Sequence, residues 1–148
     1  FLVSLSEYDK VLLEDNSQNR MIDALQVFQD IVECPYFERT NIILFLNKKD
    51  LFQEKIERVP LTVCFKNYNG RNDYEEALDY IQNEFTEIFR TTKESQEVDA
   101  MLSDVYCFQT QATNTENVRT VFNMCKHIIF KTNLASTVSF IGLFVLTT

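Results

Sequence analysis

Glycine is scarce: among 148 residues only Gly70 and Gly142 are glycine, and they lie far apart. A phosphate-cradling loop of the GxxxxGK[ST] type needs two glycines a few positions apart, so that backbone amides can close on phosphate oxygens. The chain therefore contains no such loop, and the same count excludes the GxGxxG dinucleotide fingerprint. Positive charge is also short, with 14 Lys and Arg against 22 Asp and Glu and a net charge of -8. Gripping a nucleic-acid backbone takes a clustered cationic excess, so no nucleic-acid partner is expected. The lone His127 and the scattered Cys34, Cys64, Cys107 and Cys125 show neither CxxC nor Cys/His spacing. A zinc site of ordinary pattern is excluded, and the thiols read as reduced, cytosolic cysteines. The most apolar stretch, Val138 to Leu146, falls well short of the roughly 20 residues that span a bilayer, so no transmembrane segment is expected.

What is present is ordinary globular material, 45% hydrophobic and 24% charged, enough for one core. Phe1 opens directly on an apolar run with no Met or charged leader, which reads as a cut rather than a natural start. Three short runs rich in β-formers, Phe1 to Leu5, Ile42 to Leu46 and Val105 to Phe108, predict strands. Three segments carry apolar residues at helical spacing: Met21 to Val32, Tyr74 to Phe89 and Val118 to Ile129. Asp73 with Glu76, and Thr113 with Glu116, have the spacing that caps helix starts. Alternating strands and helices predict an α/β fold, a parallel sheet with helices on both faces. The segment Arg58 to Asp73, with Pro60, Asn67, Asn69 and Gly70, reads as a long surface loop. Ligands of such sheets sit beyond the carboxyl ends of the strands, here Ser6 to Asp9, Asn47 to Asp50 and Thr110 to Thr113.

Directly after the second run stands Asn47-Lys48-Lys49-Asp50, an NKxD pattern. A carboxylate at Asp50 can accept two parallel hydrogen bonds from the N1-H and 2-amino group of guanine, donors that adenine does not offer on that edge. Adenine would leave the carboxylate desolvated and unpaired, and sites of this kind reject such analogues by roughly 10⁴ to 10⁵ in the best cases. The methylene stem of Lys48 suits the purine face, and the Asn47 amide can brace the loop. After the third run, Thr110-Gln111-Ala112-Thr113 places a small residue where a backbone N-H can approach the guanine O6. The alternatives are that Asp50 caps a short helix beginning at Leu51 with both lysines solvated, and that the second segment is a capped turn.

Ser6-Glu7-Tyr8-Asp9, Glu14-Asp15, Asn19-Arg20-Met21, Ile43 to Phe52, Pro60-Leu61-Thr62 and Thr110 to Thr113 followed by Glu116-Asn117-Val118 are similar, in order and spacing, to the heterotrimeric G-protein α subunits. The similarity runs from Phe1 to about Leu134. It implies part of a Ras-like P-loop GTPase fold, GTP and GDP as ligands, and guanine contacts at Asn47, Lys48, Lys49, Asp50 and Ala112, with Thr110 and Thr113 flanking. Gln111 departs from the cysteine usual in that loop, and as the contact there is expected from the backbone, the change should be tolerated. For the parent family the resemblance implies Mg²⁺, a βγ dimer, a G-protein-coupled receptor, effector enzymes and the cytosolic face of the plasma membrane. Cys34-Pro35-Tyr36-Phe37 matches a loop that meets effectors, or else a buried turn closing the first helix.

Phosphoryl transfer in this family, itself a standard example of the chemistry, uses a P-loop Lys and Ser/Thr, a Mg²⁺-holding Asp, an arginine finger and a water-orienting Gln. The resemblance places all of these upstream of the position matching Phe1, so only the guanine end of the site and no catalytic residue is expected here. The expectation is a chain without GTPase activity of its own: residues 1-134 as the C-terminal part of the GTPase domain, and residues 135-148 as a divergent apolar tail. A non-catalytic module binding effector or receptor is the alternative.

Overall fold

The computed structural model describes residues 1–96, 103–111 and 113–145, with side chains through Phe130. The chain divides into two compact units, Phe1–Gln111 and Ala112–Thr148.

In the first unit, strands β1 (Leu2–Ser4), β2 (Ile42–Asn47) and β3 (Val105–Thr110) form a parallel sheet in the order β1-β2-β3. Helices α1 (Arg20–Glu33), α2 (Lys49–Ile56) and α3 (Tyr74–Ser95) lie between them in sequence. The α/β expectation holds. Strand β1 is shorter than its apolar run because Leu5 turns into a short 3-10 segment with Ser6 and Glu7. Strands β2 and β3 instead run past theirs into Asn47 and Thr110, which are partners in the ladder. Backbone hydrogen bonds, not side-chain hydrophobicity, carry a strand to its end.

Along β2, Ile42, Leu44 and Leu46 are buried while Ile43, Phe45 and Asn47 are half-buried, the period of two that sorts side chains to opposite faces. The buried set joins one core with Met21, Leu25, Phe28 and Val32 of α1 and Ala77, Leu78, Ile81, Phe85 and Phe89 of α3. Phe28 packs edge-on against Phe85 with centroids 5.3 Å apart, and Phe1 meets Phe28 at 5.2 Å. Each fully buried aromatic or aliphatic side chain contributes about 1.5 to 3 kcal/mol of transfer free energy.

Helix α1 begins because Asn19 Oδ1 accepts from the amides of Met21, at 2.8 Å, and Ile22, at 3.3 Å. Asp73 does the same for α3, accepting from the Glu76 amide at 3.1 Å as its spacing predicts. Residues 58–73 differ from a surface loop: Leu61, Cys64, Phe65 and Tyr68 are buried in the core. Phe65 and Tyr68 both stack edge-on to Tyr80, at 5.2 and 5.0 Å, so these side chains pin the segment although its composition is that of turns. Gly70 is needed there, since a Cβ would strike the Tyr68 ring.

The second unit contains α4 (Thr115–Val145). Its cap is Asn114, whose Oδ1 accepts from the Asn117 amide at 3.0 Å, one position after the predicted Thr113, which stands in the preceding turn. Of the predicted apolar stripe, Val121 and Cys125 are buried whereas Val118, Phe122 and Ile129 are exposed. Helical period marks residues that share a side, not whether that side is covered. Residues 146–148 of the predicted tail lie outside the described residues. Among the described residues no helix is long and apolar enough to cross a membrane.

Candidate functional site

Strand β2 passes into α2 through one residue. Lys48 adopts φ 61° and ψ 40°, and is the only non-glycine residue of positive φ among the described residues. A side chain in this left-handed region costs about 1 to 2 kcal/mol, so the packing on either side of Lys48 must hold it there. The sharp turn starts α2 at Lys49, half-buried, with Lys48 at the cap position and no side-chain capping bond. The alternative that Asp50 caps a helix starting at Leu51 is therefore not realised. Asp50 sits inside the first turn of α2, where the helix dipole favours a carboxylate, and its oxygens are available for other bonds.

Three contacts surround this turn. The Thr110 hydroxyl, on a buried residue, donates to Asn47 Oδ1 at 3.1 Å, locking the ends of β2 and β3 together. Ser4 continues the row as the partner of Asn47 on β1, and its buried hydroxyl has no partner among the described residues. The Gln111 side-chain amide donates to Asp50 Oδ2 at 3.0 Å. Lys48 Nζ donates to Glu7 Oε1 at 2.8 Å, and Arg20 at the start of α1 donates to Glu7 Oε2 at 2.7 Å. The hydrogen bond from Lys48, and then that from Arg20, hold the Glu7 carboxyl down at about 2.

The Ser6 to Asp9 turn that carries Glu7 is fixed from several directions. Lys55 of α2 donates to Asp9 Oδ1 and to the Ser6 carbonyl, both at 2.7 Å. The Tyr8 hydroxyl donates to the Val59 carbonyl, and the Asn19 amide donates to the Tyr8 carbonyl at 2.7 Å. An open cleft of about 520 Å³ lies between this turn and α2, lined by Ser6, Glu7, Leu51, Lys55 and Val59 among others. Asp50 does not line it, so this cleft and the Asp50 carboxylate are separate features.

Of the predicted site residues, Asn47, Lys48, Lys49, Asp50 and Thr110 gather at the carboxyl end of the sheet in the first unit. Ala112 lies outside the described residues, and Thr113 is exposed in the turn of the second unit. Sequence reasoning missed the side-chain partners Glu7, Arg20 and Gln111. Glu7 had a signal, since it follows a strand at the edge where ligands bind. Gln111 had one too, as a departure from the resembled loop, but its side chain reaches Asp50 where a mainly backbone contact was expected.

A parallel α/β sheet with an Asn-Lys-Lys-Asp turn at the carboxyl end of its middle strand is the Ras-like GTPase class, represented here by part of its domain. A family model described as "G-protein alpha subunit" matches residues 1–129. The chain is 50% identical over 135 residues to the alpha-16 subunit of the guanine nucleotide-binding proteins of Caenorhabditis elegans, covering 90% of this chain and 36% of that protein. It is 45% identical over 134 residues to the G(o) alpha subunit of the same organism, covering 90% of this chain and 35% of that protein. The G(o) alpha subunit of Lymnaea stagnalis is 44% identical over 134 residues, again 90% of this chain and 35% of that protein. The chain belongs to the G-protein α subunit family, and spans about a third of the length of these relatives.

Proposed function

We propose that this chain supplies the guanine end of a GTP/GDP site in an α subunit of a heterotrimeric G protein, a transducer between G-protein-coupled receptors and effectors. The observation that carries the reading is Asp50. It stands in the first turn of α2 at the end of the sheet, half-buried, one oxygen bonded by Gln111 and the other without a partner among the described residues. Such a carboxylate matches the paired donors of guanine, with Lys48 beside it for the purine face and Asn47 braced by Thr110. Lys49, Ala112 and Thr113 complete the proposed contacts.

The phosphate loop and catalytic groups belong, in this reading, to sequence that the relatives have and these 148 residues do not. Mg²⁺, the βγ dimer and the cytosolic face of the membrane belong to the whole α subunit. Hydrolysis is thus assigned to the parent protein, and residues 135-148 to a tail apart from the GTPase domain. Titration with a fluorescent GDP analogue tests the base site: saturable binding should prefer guanine over adenine, and Asp50→Ala should weaken it on the order of a hundredfold or more. Equal binding of both nucleotides, or an unaffected Asp50→Ala protein, would refute the reading.

A second reading is favoured by one surface. Tyr36 is 91% exposed and Phe37 41% exposed in the short 3-10 turn after α1. The turn is therefore not the buried closure that was its alternative, and it suits contact with an effector by a non-catalytic module.

A further inference from the structure

The sheet register that defines the site also delivers a competitor to it. Asn47 and Thr110 are ladder partners at the ends of β2 and β3, and each chain then continues into the next segment. Asp50 lies three residues beyond one partner and Gln111 one residue beyond the other. The outcome is the 3.0 Å bond from Gln111 Nε2 to Asp50 Oδ2. A carboxylate can only accept, so the amide must present its NH₂ group. That group is the same donor chemistry as the exocyclic amine of guanine.

We propose that Gln111 is a built-in stand-in for the base, a side-chain amide that occupies the guanine-recognition carboxylate and sets the affinity of the site for guanine nucleotides. The inference rests on the reading of Asp50 given above. An entering guanine needs both oxygens of Asp50 for its two parallel donors, so it must first break the Gln111 bond. A hydrogen bond to a charged group is stronger than one between neutral groups, and the part of it not regained by Gln111 in water is lost from the binding free energy. Because the competitor is tethered, its effective concentration is high and dilution does not remove it. The displaced amide also gives the site a second, closed arrangement of its own, in which the carboxylate stays paired when no nucleotide is bound.

Gln111→Met keeps the length and most of the volume of the side chain and removes the donor. In fluorescent-GDP titrations of the 148-residue chain, it should bind about three- to tenfold more tightly than the unmodified protein. In an Asp50→Ala background the advantage of Gln111→Met should vanish. If Gln111→Met binds equally or more weakly while Asp50→Ala abolishes binding, the base site stands and the stand-in role is overturned. If Asp50→Ala leaves binding unchanged, the reading of the base site itself fails.

Should neither protein bind GDP, the base-site reading fails and the bond is still measurable. The Gln111 side-chain amide resonances should shift in Asp50→Asn, by comparison with the other glutamines, in nucleotide-free protein. An unshifted Gln111 amide would overturn the inference whatever the nucleotide result.

Discussion

Glu7→Gln is the perturbation that most directly tests how the Asn47 to Asp50 turn is held. Glu7 joins three pieces of chain: its own turn after β1, Lys48 between β2 and α2, and Arg20 at the start of α1. Its carboxyl is lowered from 4.5 to about 2, which taken at face value corresponds to about 3 kcal/mol. Lys48 is 42% exposed and Arg20 33% exposed, so solvent screens both bonds. Each is therefore worth about 0.2 to 1 kcal/mol, and the pair about 1 kcal/mol. The depressed folded value makes this stability present above the unfolded carboxyl value and lost as pH falls through 4.5 toward about 2. Glu7→Gln should thus lower the unfolding free energy in urea by about 1 kcal/mol at pH 7, with the gap to the unmodified protein closing as pH approaches about 2. Because the lost bond restrains a left-handed residue, hydrogen exchange at residues 48–51 should quicken more than in α3. Equal stability at pH 7, or a gap unchanged by acid, would refute the account.

Two further changes probe the core and a buried cation. Phe85→Ala should cost about 3 to 5 kcal/mol in urea unfolding, since it removes a fully buried ring from the cluster with Phe28 and Phe1; a loss under about 1 kcal/mol would mean that the cluster repacks. Lys93 is buried and donates to the carbonyls of Val32 and Phe37 at 3.3 and 3.1 Å and to Gln96 Oε1 at 3.2 Å, so it closes α1 and the turn that carries Tyr36. Burial lowers its pKa. Lys93→Met should cost about 1 to 3 kcal/mol by leaving those oxygens unpaired, and faster exchange at residues 34–38 would locate the effect.

How much of this was legible before the fold was known depended on which force decides each feature. The periodicity of Met21 to Val32 and Tyr74 to Phe89 marks the core faces of α1 and α3 because burial sorts side chains by spacing, which is a property of sequence alone. Asp73 was legible as a cap because its bond is local. The segment 58–73 was misread for the opposite reason: its composition is that of turns, while Phe65 and Tyr68 are placed by a ring on α3. The same division runs through the site. Asn47 to Asp50 could be read as a unit since its chemistry lies within four consecutive residues, yet what holds that unit comes from residues 41 positions away at Glu7, 61 at Gln111 and 63 at Thr110. Parallel strands bring such distant residues side by side only through register, and register is fixed by the backbone ladder together with the packing on both faces. A motif therefore names the groups that gather at one turn, while what holds them there depends on long-range partners such as Glu7 and Gln111.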